Sequence, residues 1–169
     1  MTELHEVDEL RVAAGDGRRL VVAKRFRYEV KSNAASLVTE LLQHRAYRDA
    51  FLTAESALHE QVELHGPFAL SDIRLEDFEP IDALAARQAI EVFWADETYG
   101  VPKPDATVQI ERLIRELDLD AGKTLHLAKR DVRQEHPTSQ ILREGFQEFI
   151  VLHPERHVVT LVVLAPRRA

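Results

Sequence analysis

Glu55, His59 and Glu63 stand four residues apart in a run of strong helix formers, so a helix there lines up two carboxylates and an imidazole in one column. Such a set can ligate a divalent metal or act as general acid and base, the chemistry of a small hydrolase or lyase. A complete site needs further groups from a second element, and the sequence offers none at a recognisable spacing. Solvated Glu–His pairs on an exposed helix face account for the same column more simply. No catalytic residue, metal or other cofactor is therefore assigned, and the reading leans away from an enzyme.

Four further patterns invite chemistry and are weaker. Asp118-Leu-Asp-Ala-Gly122 opens like a calcium loop, which needs acids at positions 1, 3 and 5, glycine at 6 and Glu at 12. Here those later positions hold Gly122, Lys123 and Lys129, so the expectation is a helix end closed by glycine. His153 and His157 flank Pro154-Glu-Arg156, with His126 and His136 elsewhere. A histidine rim can sense pH or hold a metal, but no carboxylate stands at a spacing that would orient these rings, so they read as half-exposed turn residues. Residues 107–135 allow a helix-turn-helix in which Lys123, Lys129, Arg130 and Arg133 supply positive charge to DNA. Trp94 and Tyr99, beside Asp96 and Glu97, can line a pocket mouth, although packing is the plainer role for rings at the end of a core helix. Phosphate-cradling glycine loops, nucleophile elbows and zinc-type clusters are absent from the sequence.

The strongest signal is the sorting of charge. Residues 1–31 carry seven Lys/Arg and six Asp/Glu, and residues 101–169 carry eleven and ten. The middle, residues 32–100, carries thirteen acids and four bases, a local −9 that accounts for the chain's net −7. A surface built from that middle repels nucleic acid and anionic membrane and attracts a cationic protein. The expected function is accordingly a non-catalytic binding or regulatory protein that meets a basic protein partner through Glu60, Glu63, Asp72, Glu76, Asp77, Glu79 and Asp82. A Glu/His hydrolase or lyase is the alternative, and a helix-turn-helix DNA binder the third reading.

Bulk composition sets the stage for that surface. The 169 residues are 45% apolar and 30% charged, as expected of one globular domain spanning residues 1–169. The absence of cysteine rules out disulfides and thiolate chemistry and suits a cytoplasmic protein, while abundant Ala, Arg, Leu and Val with few Lys suits a bacterial one. The acidic N-terminus lacks an apolar run and reads as no signal peptide. Val158–Ala165 is the longest apolar run, a strand's length and too short to span a membrane.

The elements expected to carry these residues follow from periodicity. Residues 9–14 and 19–30 flank Gly15-Asp-Gly17 and read as a hairpin. Ser32 or Asn33 caps a helical stretch reaching Gly66-Pro67, whose apolar stripe rotates between Leu42 and Tyr47, predicting a break between Gln43 and Asp49. A helix from Pro80 to Asp96 and another capped by Asp105 follow, and Lys123–Val132 is left as strand or short helix. Residues 147–153 and 157–165 form a second hairpin, the last strand interior to the sheet; homodimerisation through it is open only if it lies at an edge. The expected fold is α+β: an antiparallel sheet from N-terminal and C-terminal hairpins, with three to four helices packed on one face.

Overall fold

A strand that is apolar at nearly every position must be covered on both faces, and two segments near the C-terminus have that pattern. They are Gln147–His153 and Val158–Pro166, in which every residue but the first of each is buried. The computed structural model describes residues 2–14, 17–49, 51, 64–128 and 145–166, and places both segments inside a six-stranded antiparallel sheet.

In chain order the described elements are β1 (His5–Ala14), β2 (Arg19–Arg27), α1 (Ala34–Gln43), β3 (Leu64–His65), β4 (Phe68–Ala69), β5 (Phe78–Ile81), α2 (Ala83–Ala95), α3 (Pro104–Leu117), β6 (Lys123–Leu127), β7 (Gln147–His153) and β8 (Val158–Pro166). The large sheet runs β1-β2-β8-β7-β6-β5, and β3 with β4 makes a separate two-stranded ribbon. Thus β2 and β8 are central neighbours, with Val22 opposite Val163 and Lys24 opposite Leu161. The edges are β1 and β5, so β8 is not an edge through which two copies could pair. Charged residues and a register shift between Glu6 and Asp8 blunt the β1 edge.

Alternate residues of a strand point to opposite faces, and here both faces are covered by helix. Leu20, Val22 and Phe26 of β2, with Val159, Leu161 and Val163 of β8, pack in one cluster with Leu37, Val38 and Leu41 of α1. Val21, Ala23, Val162 and Leu164 pack in the other with Ala86, Ile90 and Phe93 of α2 and Ile110, Leu113 and Leu117 of α3. The expectation that all helices share one face is thereby corrected. Burying central strands that are apolar on both sides takes helices on both sides.

Local chemistry sets the element ends. Asn33 Oδ1 accepts the Ser36 N–H at 2.8 Å and starts α1, which stops at Gln43; Arg45–Tyr47 then makes a single 3-10 turn, the break expected from the rotating stripe. Asp82 Oδ1 accepts the Ala85 N–H at 2.8 Å and starts α2 three residues later than a helix opened by Pro80. Pro80 lies in edge strand β5, where a missing N–H is tolerated. Pro104 rather than Asp105 opens α3. Lys123–Leu127 pairs with both β5 and β7, so the second helix of a helix-turn-helix does not begin there. Its ladder on both sides, not its burial pattern, makes it a strand: Thr124 and Leu125 are both buried. No helix among the described residues is long and apolar enough to cross a membrane.

The end of α2 is tied to the sheet by a wholly buried arginine. Arg19 Nη1 donates to the Trp94 carbonyl, and Nη2 to the Asp96 carbonyl and, at 3.1 Å, to that of Gly100. Its guanidinium lies 5.6 Å from the Trp94 ring centroid. A cation at a helix C-terminus answers carbonyls that have no intrahelical donor. Replacing Arg19 with Met keeps the apolar stem and orphans those carbonyls. We expect urea denaturation to show a loss of about 2–4 kcal/mol.

Candidate functional site

Of the residues singled out from sequence, Glu55, His59, Glu60 and Glu63 lie outside the described residues. Asp72, Glu76, Asp77, Glu79 and Asp82 follow one another along two 3-10 turns, Leu70–Asp72 and Leu75–Asp77, then β5 and the cap of α2. Glu76, Glu79 and Asp82 are exposed and Asp72 and Asp77 half-buried. Asp77 accepts the Arg74 N–H at 2.6 Å, so it and Asp82 also serve as local caps. Glu76 and Glu79 form no ion pair among the described residues.

A denser gathering of chemically capable side chains is elsewhere and largely internal. Lys24, fully buried on β2, donates to the Ala46 carbonyl at 2.7 Å and to Asp49 Oδ2 at 2.9 Å. Arg11 of β1 donates to the same Asp49 oxygen and to Glu9. Asp49 Oδ1 accepts the Phe51 N–H at 2.8 Å, so both carboxylate oxygens are satisfied. Phe51 is held at φ 53, a left-handed conformation costly for a bulky residue, with the Lys24 ammonium 5.4 Å and the Arg11 guanidinium 5.9 Å from its ring centroid. Two cations and two acids thus cancel inside the protein.

A second set adjoins the first. His65 Nδ1 donates to the Tyr47 carbonyl and Nε2 bonds Glu148, while the Tyr47 hydroxyl donates to Glu148 Oε1 at 2.8 Å. Because a carbonyl only accepts, Nδ1 must carry a proton, and one more proton lies in the His65–Glu148 bond, on ring or carboxyl. His65 stacks on Tyr47 at 3.6 Å between centroids. The two sets share backbone. Asp49 bridges His65 in parallel, and the Gly66 N–H donates to the Asp49 carbonyl at 2.7 Å. Gly66, at φ 54, has no room for a side chain, since a Cβ would come within 2.5 Å of the Phe146 ring.

Burial disturbs the titrating groups here. The Tyr47 hydroxyl is pushed well above its ordinary range, first by burial and then by the Glu148 carboxylate it faces. His44 is lowered, first by burial and then by the neighbouring Arg45 charge, while its Nδ1 accepts the Ala46 N–H at 3.1 Å. A histidine, a carboxylate and a tyrosine in hydrogen-bond contact are a set fit for proton transfer. Yet His65 and Tyr47 are 0% and Glu148 1% exposed, and every polar atom is spent on a neighbour, so the set acts as a structural clamp. Among the described residues no group of three or more His, Asp or Glu could hold a metal.

The remaining sequence candidates resolve individually. Asp118, not Gly122, takes the left-handed helix-ending position at φ 44, and its carboxylate pairs with Arg156. His153 is buried rather than half-exposed, and His157, at φ 52, stacks on Tyr28 at 5.0 Å. They form no joint rim with His126. Trp94 is a buried packing residue. The internal network went unread although it had a signal: Lys24 shares its strand face with Leu20, Val22 and Phe26, and Glu148 shares one with Ile150 and Leu152. A charge at an inward position of an alternating strand implies a buried partner.

No protein-family model, curated protein or solved structure matches this chain.

The network makes two predictions. Asp49→Leu leaves Lys24 and Arg11 buried short of one counter-charge and should cost about 3–5 kcal/mol in urea denaturation, whereas adding Lys24→Met should recover about half of that loss. Tyr47 has a raised folded value, so its contribution is fully present below the unfolded value of 10.0 and falls as pH rises through the folded one. Denaturation across the alkaline range should therefore show a steeper decline for the native chain than for Tyr47→Phe.

Proposed function

We propose that this protein is a non-catalytic binding or regulatory protein that docks a basic protein partner along its acidic β5 edge and the adjoining outer face of α2. The observation that carries the reading is the exposure of Glu76, Glu79 and Asp82 in succession at one edge of the sheet. Residues 64–100 hold eight acids and two bases, and one of those bases, Arg87, pairs with Asp120. Leu84 and Val92 of α2, 60% and 70% exposed, stand near Asp82 and Glu91 and provide apolar area for a contact rimmed by charge. A negative field of this kind speeds encounter with a cationic surface and discriminates among partners more than it adds affinity.

Two features favour binding over catalysis. The internal ionisable groups are spent on one another, and the outward acids lie on an open edge. Glu60 and Glu63, named with these acids from the sequence, lie outside the described residues. Cytoplasmic residence and a bacterial source complete the reading, from the absence of cysteine and the Ala/Arg/Leu-rich composition. The test is capture from the native host's lysate at about 50 mM salt, with the native chain and a Glu76→Lys/Glu79→Lys variant that leaves the helix caps intact. A stoichiometric partner rich in Lys and Arg should be retained by the native chain and lost by the variant, with release near 500 mM salt, where the Debye length is only about 4 Å. The proposal fails if no such partner is captured, or if the variant holds it equally well.

A further inference from the structure

On the face covered by α3, the last turns of the helix and the sheet beneath them enclose a groove of about 110 Å³. Leu10, Ala23 and Val158 form its floor and Leu113 and Leu117 of α3 its wall. The volume is somewhat below the roughly 150 Å³ of a cavity that takes benzene, and so suits a branched aliphatic group of four or five carbons. Two polar side chains that are more than nine-tenths buried line this groove with hydrogen-bonding capacity unused. Thr160, 7% exposed, makes no side-chain hydrogen bond among the described residues. His153, 5% exposed, donates from Nε2 to the Asp118 carbonyl at 3.0 Å, which leaves Nδ1 without a partner among the described residues. Both atoms are open to the hollow rather than sealed away from it, so two unused polar groups beside one apolar floor are available to a ligand seated there.

The rim names the kind of ligand. Arg25 and Arg156 stand on it, as do Asp8 and Glu116, so both signs are present and balanced. Arg25 uses Nε and Nη2 on Asp8, at 3.1 and 2.6 Å, and Arg156 uses Nη2 on Asp118, which leaves Nη1 of each guanidinium unused. A lone anion or a lone cation would meet as much repulsion as attraction. A molecule carrying both charges close together satisfies both signs. We propose that this groove binds a free α-amino acid with a branched aliphatic side chain. Its carboxylate takes the Thr160 hydroxyl and the spare arginine donors, its ammonium takes His153 Nδ1 and the rim carboxylates, and its side chain fills the apolar floor.

Isothermal titration calorimetry of the full chain with L-leucine tests this, with 4-methylpentanoate, 3-methylbutylamine and glycine as probes that each lack one of the three recognised parts. Leucine should bind at one saturable site, and each truncated probe about tenfold more weakly. Thr160→Val, which removes the hydroxyl at constant shape, and Arg25→Gln, at the exposed rim, should each weaken leucine by about fivefold while thermal denaturation confirms the fold. The proposal is overturned if leucine gives no saturable binding, if 4-methylpentanoate or 3-methylbutylamine binds as tightly as leucine, or if both folded variants bind leucine like the native chain.

Discussion

A charge removed from water must be answered by another, and the sheet of this protein buries Lys24, Arg11 and Glu148 on one face. Arg11 meets Glu9 on its own strand, but Lys24 and Glu148 take their partners from outside the sheet, since the strand backbone is engaged in the ladder. The answer comes from the chain after α1. Asp49 reaches Lys24 and Arg11, and Tyr47 with His65 reaches Glu148. The geometry of residues 44–49, 51 and 64–66 follows: the helix must stop at Gln43, the chain must turn at Arg45–Tyr47, and Phe51 must accept a left-handed backbone. Buried ion pairs are weak sources of net stability compared with apolar packing, but each forbids arrangements that would leave one partner alone. Their effect here is to fix one seating of this segment on the sheet.

That seating was the part least visible in the amino-acid sequence. Periodicity carried the strands well, because Val158–Pro166 is too uniformly apolar to be anything but central, and the break after Gln43 showed in the rotating stripe of Leu41, Leu42, Tyr47 and Phe51. The same uniform apolarity already implied two covered faces, and placing all helices on one side overlooked it. Pro80 and Lys123–Leu127 were ambiguous for a different reason. Proline suits an edge strand as well as a first helical turn, and five residues are too few to declare a period.

Long-range pairing was harder still. Nothing local to Asp49 distinguishes it from a solvated acid, and its partners lie 25 and 38 residues away in sequence. The clue sat instead at the inward positions of the strands, where Lys24 and Glu148 interrupt apolar faces. The acids that were read as a surface patch divide as well. Asp77 and Asp82 are partly engaged as caps, and Glu76 and Glu79 face outward. The acidic edge and the α3-side groove therefore both depend on a sheet whose internal charges are already balanced, leaving outward groups free to meet a partner or ligand.

Native-state hydrogen exchange at the Gly66 and Phe51 amides tests this account most directly, because their acceptors are the Asp49 carbonyl and the Asp49 carboxylate. If the buried charges seat residues 44–49, 51 and 64–66, both amides exchange as slowly as those of β2 and β8, and a Glu148→Gln substitution accelerates them while sparing the central strands. Exchange at the rate of a frayed surface loop in the native chain, or acceleration spread evenly over the whole sheet, would contradict it.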